Sequence, residues 1–233
     1  KHAPVAYGVL KGTGTMNDSA LKNFCTWARA ELINGVEAQM VRYGITEPTL
    51  APAGSETVNG LPLSPAEVVQ RDELLRIQTE VGHEALRDRA AYTWFNRMIA
   101  IRFMEINDYL PSRVRVLSSE NPGKLEPDFV TNPFDTDLDF TPYERDRVLQ
   151  FKDENKLDEL FRLLFIKQCN ALNEILPALF EKTSDYTELL LNLSVVDQEG
   201  VVYHLIHDIA EDDFNIEKGG QVEIIGWLYQ YYN

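Results

Sequence analysis

The 233-residue sequence predicts a mainly α protein, a multi-helix bundle with at most a short strand or hairpin. Three observations carry this. Apolar residues recur at spacings of three and four along most of the chain, the period of one helix face. Two segments, Ser64-Pro65-Ala66-Glu67 and Thr141-Pro142-Tyr143-Glu144, combine a capping hydroxyl, a proline at the first helical position and a glutamate that reaches back to the cap amide. Alternation of strand type is confined to Arg113-Val114-Arg115-Val116-Leu117 and to a small hairpin around Asn59-Gly60.

The first helix is expected from about Ser19 to Tyr43. Its apolar face is Leu21, Phe24, Cys25, Ala28, Leu32, Val36 and Met40; Asn17, Asp18 or Ser19 caps it and Gly44 ends it. Residues 44–63 hold three prolines and two further glycines and read as a loop. Helices follow from Ser64 to about Val81 and, after Gly82, from His83 to about Asn107. The second has an apolar stripe wide enough to imply burial on more than one side. Pro111 stops it. Residues 118–141 read as a long irregular loop, a candidate sub-boundary within the domain. Helices are next expected from Thr141 to about Lys152 and from about Leu157 to Phe180, the latter kinked or split at Pro177. Residues 186–193 add a helical turn or two. Over 195–209, Val201, Val202, Leu205, Ile206 and Ile209 favour helix over hairpin. The chain closes on a helix over 222–232, apolar and aromatic nearly all round. Such a surface calls for a partner and suggests a piece of a longer polypeptide. The glycine- and threonine-containing segment 1–15 precedes Met16 and reads as a leader, a cloning remnant or a peptide arm, leaving 16–233 as the folded domain.

Composition bounds the function. The chain is 44% hydrophobic and 25% charged, ordinary for a globular protein and unlike a disordered one. No apolar run approaches the roughly 20 residues of a membrane span, so no membrane partner is expected. There is no secretory pattern after Lys1-His2, and two distant cysteines give no disulfide framework, so the cytoplasm is the expected location. The net charge of −15 is uneven. Residues 1–64 hold 5 basic and 5 acidic side chains, residues 65–118 hold 8 and 8, and residues 119–233 hold 9 and 24. The acidic second half repels phosphate and is a poor nucleic-acid groove.

Chemistry-bearing motifs are sparse. Gly12-Thr13-Gly14 has no strand–turn–helix around it. His204 and His207 lie three apart with no third ligand evident, and Asp135-Thr136-Asp137-Leu138-Asp139 lacks the glycine and closing glutamate of a calcium loop. No metal site is expected. Cys25 and Cys169 lie on apolar helix faces, where thiols are buried and inert. The arginines Arg87, Arg89, Arg97, Arg102, Arg113 and Arg115 flank Tyr92, Trp94 and Phe95, a combination that suits phosphate contact and base stacking. Their acidic neighbours equally suit helix ion pairs such as Arg102–Glu105.

Three strings then become informative in their order: AYTWFNRMIAIRFMEINDYLPSRVRVLSS (91–119), LFRLLFIKQCNALNEILPALFEKTSDYTELLLNLS (160–194) and EIIGWLYQYYN (223–233). They closely resemble the N-terminal region of the PglX family, the adenine-specific DNA methyltransferases of BREX phage-defence systems, and the resemblance spans residues 16–233. It implies a full-length protein several times longer. That protein would transfer a methyl group from S-adenosyl-L-methionine to the exocyclic amine of adenine in a Rossmann-like domain with an Asn-Pro-Pro-Tyr/Phe tetrad. The nearest string here, Asn132-Pro133-Phe134-Asp135, lacks the second proline and reads as a turn, so no catalytic or cofactor residue is carried over. The expectation is a non-catalytic N-terminal helical domain, inactive and without cofactor by itself, with S-adenosyl-L-methionine bound elsewhere in the full-length protein. Expected partners are the catalytic and target-recognition domains of the same polypeptide, DNA through the full-length protein, and other BREX proteins. Trp227, Leu228, Tyr229, Tyr231 and Tyr232 would dock on the catalytic domain. The six arginines would touch DNA backbone. The alternative is a protein-docking module acting through the acidic half.

Overall fold

The computed structural model describes residues 18–177, 180 and 185–233. Within them lie nine α-helices and one two-stranded antiparallel sheet. Segment 1–15, Met16 and Asn17 fall outside the described residues.

Helix α1 (Asp18–Arg42) buries the seven apolar residues that its periodicity singled out, Leu21 to Met40. Gly44 follows at φ +64°, and a Cβ there would sit 2.6 Å from Val58 Cγ1, so only glycine lets the chain turn under the hairpin. That hairpin, β1 (Thr57–Val58) with β2 (Leu61–Pro62), pairs Val58 with Leu61. Asn59 and Gly60 both take positive φ, as a tight primed turn requires. The Asn59 amide donates to the Val41 carbonyl at 2.9 Å and so ties the hairpin to the end of α1.

Helices α2 (Pro65–Val81) and α5 (Pro142–Asp153) both begin with a complete capping box, Ser64 with Glu67 and Thr141 with Glu144. Helix α3 (His83–Ile106) is the axis of the fold. Every residue from Arg97 to Ile106 is buried, because α1, α2, α8 (Glu211–Phe214) and α9 (Ile224–Tyr232) pack around it. Helix α6 (Leu157–Asn173) buries Leu160, Phe161, Leu164, Phe165, Cys169 and Leu172 and packs on α4 (Asp128–Thr131) and α5. The remaining elements are α4 (Asp128–Thr131), α7 (Val201–His207), α8 (Glu211–Phe214) and α9 (Ile224–Tyr232), with single 3-10 turns at Pro133–Asp135, Asp185–Leu190 and Ile216–Lys218.

Three expectations are corrected. The alternating run Arg113–Leu117 forms no strand. Arg113 takes φ +56°, and the Val116 and Leu117 amides both donate to the Glu105 carboxylate at 2.8 Å, which takes these two donors out of any ladder. The 118–141 loop is partly ordered into α4 and a 3-10 turn, because Phe129 and Val130 are drawn into the core. Helix α6 stops at Asn173, well before Phe180. Pro177 lacks an N–H and disfavours helical backbone at the residue before it, although Leu176 still donates to Leu172. Residues 178–179 of that segment lie outside the described residues. The ambiguous stretch 195–209 resolves into a turn closed by Gly200 N–H to Asp197 C=O, followed by α7.

Candidate functional site

Four of the six sequence-selected arginines sit on α3 and two, Arg113 and Arg115, in the segment after it, and the structure divides the set sharply. Arg102 is 1% exposed. It donates from Nη1 to Glu105 Oε1 at 2.6 Å and to Ser118 Oγ at 3.0 Å. Glu105 also accepts from Ser118 Oγ at 2.9 Å, besides its two backbone donors. One buried carboxylate therefore satisfies an arginine, a serine and two backbone amides, and folds residues 116–118 back onto α3. Arg115 extends the cluster with a two-pronged pair to Glu211, 2.8 and 2.9 Å. That pair holds the Glu211 carboxyl below its usual range, against burial pushing it up, and Glu211 also stands 3.5 Å from Arg102 Nη2. Arg97 is buried with its guanidinium 5.0 Å from the Trp94 ring centroid. Arg87 pairs with Asp88 and stands 3.7 Å from Glu37. Arg89 is exposed, and Arg113 is 77% exposed with Asp108 at 3.4 Å.

These six do not form one patch. Arg89 is near the start of α3 and Arg113 beyond its end, with about 25 Å of helix between them at 1.5 Å per residue. Sequence reading named Arg102–Glu105 as a helix pair. It missed Glu105 as a hub, since the signal, a lone carboxylate amid ten buried residues of α3, shows only once the helix is known to be covered all round. It also missed Arg71, fully buried and donating to the carbonyls of Tyr43, Ala51 and Pro52. The clue there is an arginine in the apolar stripe that contains Leu74 and Ile77.

The aromatic helix α9 lies against α1 and α3. Leu228 and Tyr232 are buried in the chain's own core. The Tyr232 ring stands 4.3 Å from Phe95, and the Leu228 carbonyl accepts from Cys25 Sγ at 3.5 Å. Tyr229 donates its hydroxyl to the Asn96 carbonyl at 3.1 Å. Tyr231 bonds Asp18 beneath Lys22. Trp227, Tyr229 and Tyr231 remain half-buried, so only they present aromatic surface outward.

Other candidates resolve as follows. His204 bonds Asp208 at 2.8 Å and packs 4.4 Å from the Trp27 ring; His207 stacks on Tyr203 at 3.8 Å. Among the described residues no group of three metal-ligating side chains converges. Burial pushes both cysteine thiols up to about 12. Pro133–Asp135, preceded by Asn132, forms a 3-10 turn. An open groove of about 990 Å3 lies between α2, α5, α6 and the 185–190 turn.

No family model matches the chain. It is 42% identical over 240 residues to the adenine-specific methyltransferase PglX of Lacticaseibacillus casei (strain Zhang), covering 94% of this chain and 20% of that protein. It is 34% identical over 231 residues to the adenine-specific methyltransferase BrxX of Escherichia coli O9:H4 (strain HS), covering 93% of this chain and 18% of that protein. The chain therefore spans about a fifth of the length of these relatives. These matches are those expected of an N-terminal region of a PglX-type protein.

Proposed function

We propose that this chain is the non-catalytic N-terminal helical domain of an S-adenosyl-L-methionine-dependent, adenine-specific DNA methyltransferase of a BREX phage-defence system. Its role is to support the catalytic and target-recognition domains of the same polypeptide in the cytoplasm. The observation that carries this reading is the match itself: nearly the whole chain aligns with about one fifth of two adenine-specific methyltransferases. The helical fold favours a supporting role, since the buried polar machinery around Glu105 is spent on holding residues 116–118 against α3. The half-buried Trp227, Tyr229 and Tyr231 are the part of α9 left for interdomain contact. Contact with DNA backbone falls to the exposed Arg89 and Arg113, since Arg97 and Arg102 are buried within the fold. No helix among the described residues is long and apolar enough to cross a membrane.

The test is methyl transfer from radiolabelled S-adenosyl-L-methionine to duplex DNA. A full-length polypeptide of the PglX type carrying this region incorporates label and the 233-residue chain alone does not. Incorporation by the chain alone would overturn the non-catalytic reading. For DNA, Arg89→Ala with Arg113→Ala in the full-length polypeptide lowers the salt dependence of binding by about two phosphate contacts. An unchanged slope removes both arginines from the interface. A second reading, docking of other proteins through the acidic half, is favoured by the concentration of net charge in residues 119–233.

A further inference from the structure

The groove between α2, α5 and α6 has a construction that the supporting role does not explain. Helix α6 carries two apolar stripes. The inner one is core, whereas Leu163, Ile166 and Ala171 line the groove and are left partly uncovered. Leu138 joins them from the loop before α5.

The charges around this floor are not balanced. Each basic side chain of the groove is engaged within the chain. Lys167 pairs with Glu144 at 2.9 Å, Lys156 with Glu154 at 2.6 Å, Arg162 donates to the Glu188 carbonyl at 2.7 Å, and Arg147 donates to Gln150 and stacks on Phe151. By contrast, Asp137, Asp139 and Glu174 line the same groove, are exposed, and have no ion pair or hydrogen bond through their carboxylates among the described residues. Among the described residues the groove thus offers an apolar floor and uncompensated negative charge. A phosphate-bearing ligand is repelled, while an amphipathic segment with lysine or arginine along its edges meets both features.

We propose that this groove is a docking site for a cationic amphipathic protein segment supplied by the part of the PglX-type polypeptide that lies outside this chain. The inference rests on the reading of the chain as one domain of a longer polypeptide. Its occupant is argued from charge complementarity and from the four-fifths of the relatives' length that this chain does not cover.

Two measurements on the full-length polypeptide decide it. Carbodiimide coupling, which joins a carboxylate to a lysine in direct contact, is mapped by mass spectrometry. Asp137, Asp139 and Glu174 should couple to lysines beyond residue 233. Coupling only to lysines within 1–233, to a second copy in isotope-mixed samples, to another defence protein, or to nothing overturns the proposal. Hydrogen exchange supplies the second measurement. Amides 136–140 should exchange at least tenfold more slowly in the full-length polypeptide than in the 233-residue chain. D139K with E174K should abolish that difference, while the control pair E31K with E199K, of equal charge change outside the groove, should preserve it. Equal loss in both pairs, or no protection to lose, also overturns the proposal. Methyl transfer measured on the same full-length sample keeps the two readings apart, since its absence would undo the methyltransferase reading and leave the docking map to stand or fall by itself.

Discussion

Replacing Glu105 by alanine tests whether the polar cluster around α3 holds the fold together. The carboxylate is fully buried and makes four short contacts, to Arg102, Ser118, Val116 N and Leu117 N. Its removal leaves two buried amides without an acceptor, each costing about 1–3 kcal/mol, and strands a buried arginine, a change that typically costs about 3–5 kcal/mol. These losses share one site and do not add. Glu211, 3.5 Å from Arg102, takes up part of the charge, and water entering the vacated space serves one amide. The net expectation is about 4 kcal/mol. At about 2–4 °C per kcal/mol for a domain of this size, Tm falls by roughly 8–16 °C. Glu105→Gln keeps the shape and one acceptor oxygen but turns an amide donor toward donors, so it costs about half as much. Arg102→Met in the Glu105→Ala background relieves only the stranded charge, since the two backbone amides stay orphaned, and so recovers part of the loss. Urea denaturation monitored by circular dichroism reads all three variants. A Glu105→Ala variant within about 1 kcal/mol of the parent protein, with unchanged m, would refute the reasoning, as would full recovery in the double variant.

Three further outcomes follow from single features. Thr141→Ala removes the cap that accepts from Glu144 N and opens the capping box of α5, costing about 1 kcal/mol in the same denaturation assay. The folded chain leaves both thiols unlabelled by a disulfide reagent at pH 8, because burial pushes Cys25 and Cys169 up to about 12; both react once urea unfolds it. The third outcome concerns pH. Arg115 holds the Glu211 carboxyl below the ordinary value near 4.5, so its contribution is fully present above that pH and is lost as pH falls through the lowered folded value. Glu211→Gln should therefore be less stable than the parent at pH 7, with the gap closing toward pH 3, as measured by thermal unfolding across that range.

Much of the fold was legible because it depends on local signals. The seven buried residues of α1, the two capping boxes and the Asn59-Gly60 turn are each set by neighbours within a few residues. What was not legible depends on contacts distant in sequence. Arg113–Leu117 alternates like a strand, yet Glu105, on the preceding helix, takes its amides. The 118–141 segment looks like loop by composition, and only packing of Phe129 and Val130 on the core orders it. The helix 222–232 reads as a surface in want of a partner, but α1 and α3 cover its Leu228 and Tyr232 side from within the same chain. At the candidate site, residue types were readable and their availability was not. An arginine on α3 has the same sequence signature whether it faces solvent, like Arg89, or a buried carboxylate, like Arg102.

Under the proposed function, that distinction sets how much this chain contributes on DNA. Each phosphate neutralised contributes about 0.9 to the slope of log affinity against log salt. Six arginines acting together would give a slope above 5, characteristic of a self-sufficient DNA-binding surface. The structure commits Arg102 and Arg115 to Glu105 and Glu211, buries Arg97 beside Trp94 and pairs Arg87 with Asp88. The exposed Arg89 and Arg113 remain, the latter in a solvent-exposed pair with Asp108; they are separated by the length of α3, and two contacts give a slope of about 2 and only roughly tenfold loss of affinity between 50 and 200 mM salt. Against them stands a net charge of −15, which repels the duplex at long range. Under the proposed function, a chain so built reaches DNA through the rest of the polypeptide. Its acidic half is better matched to cationic protein than to phosphate.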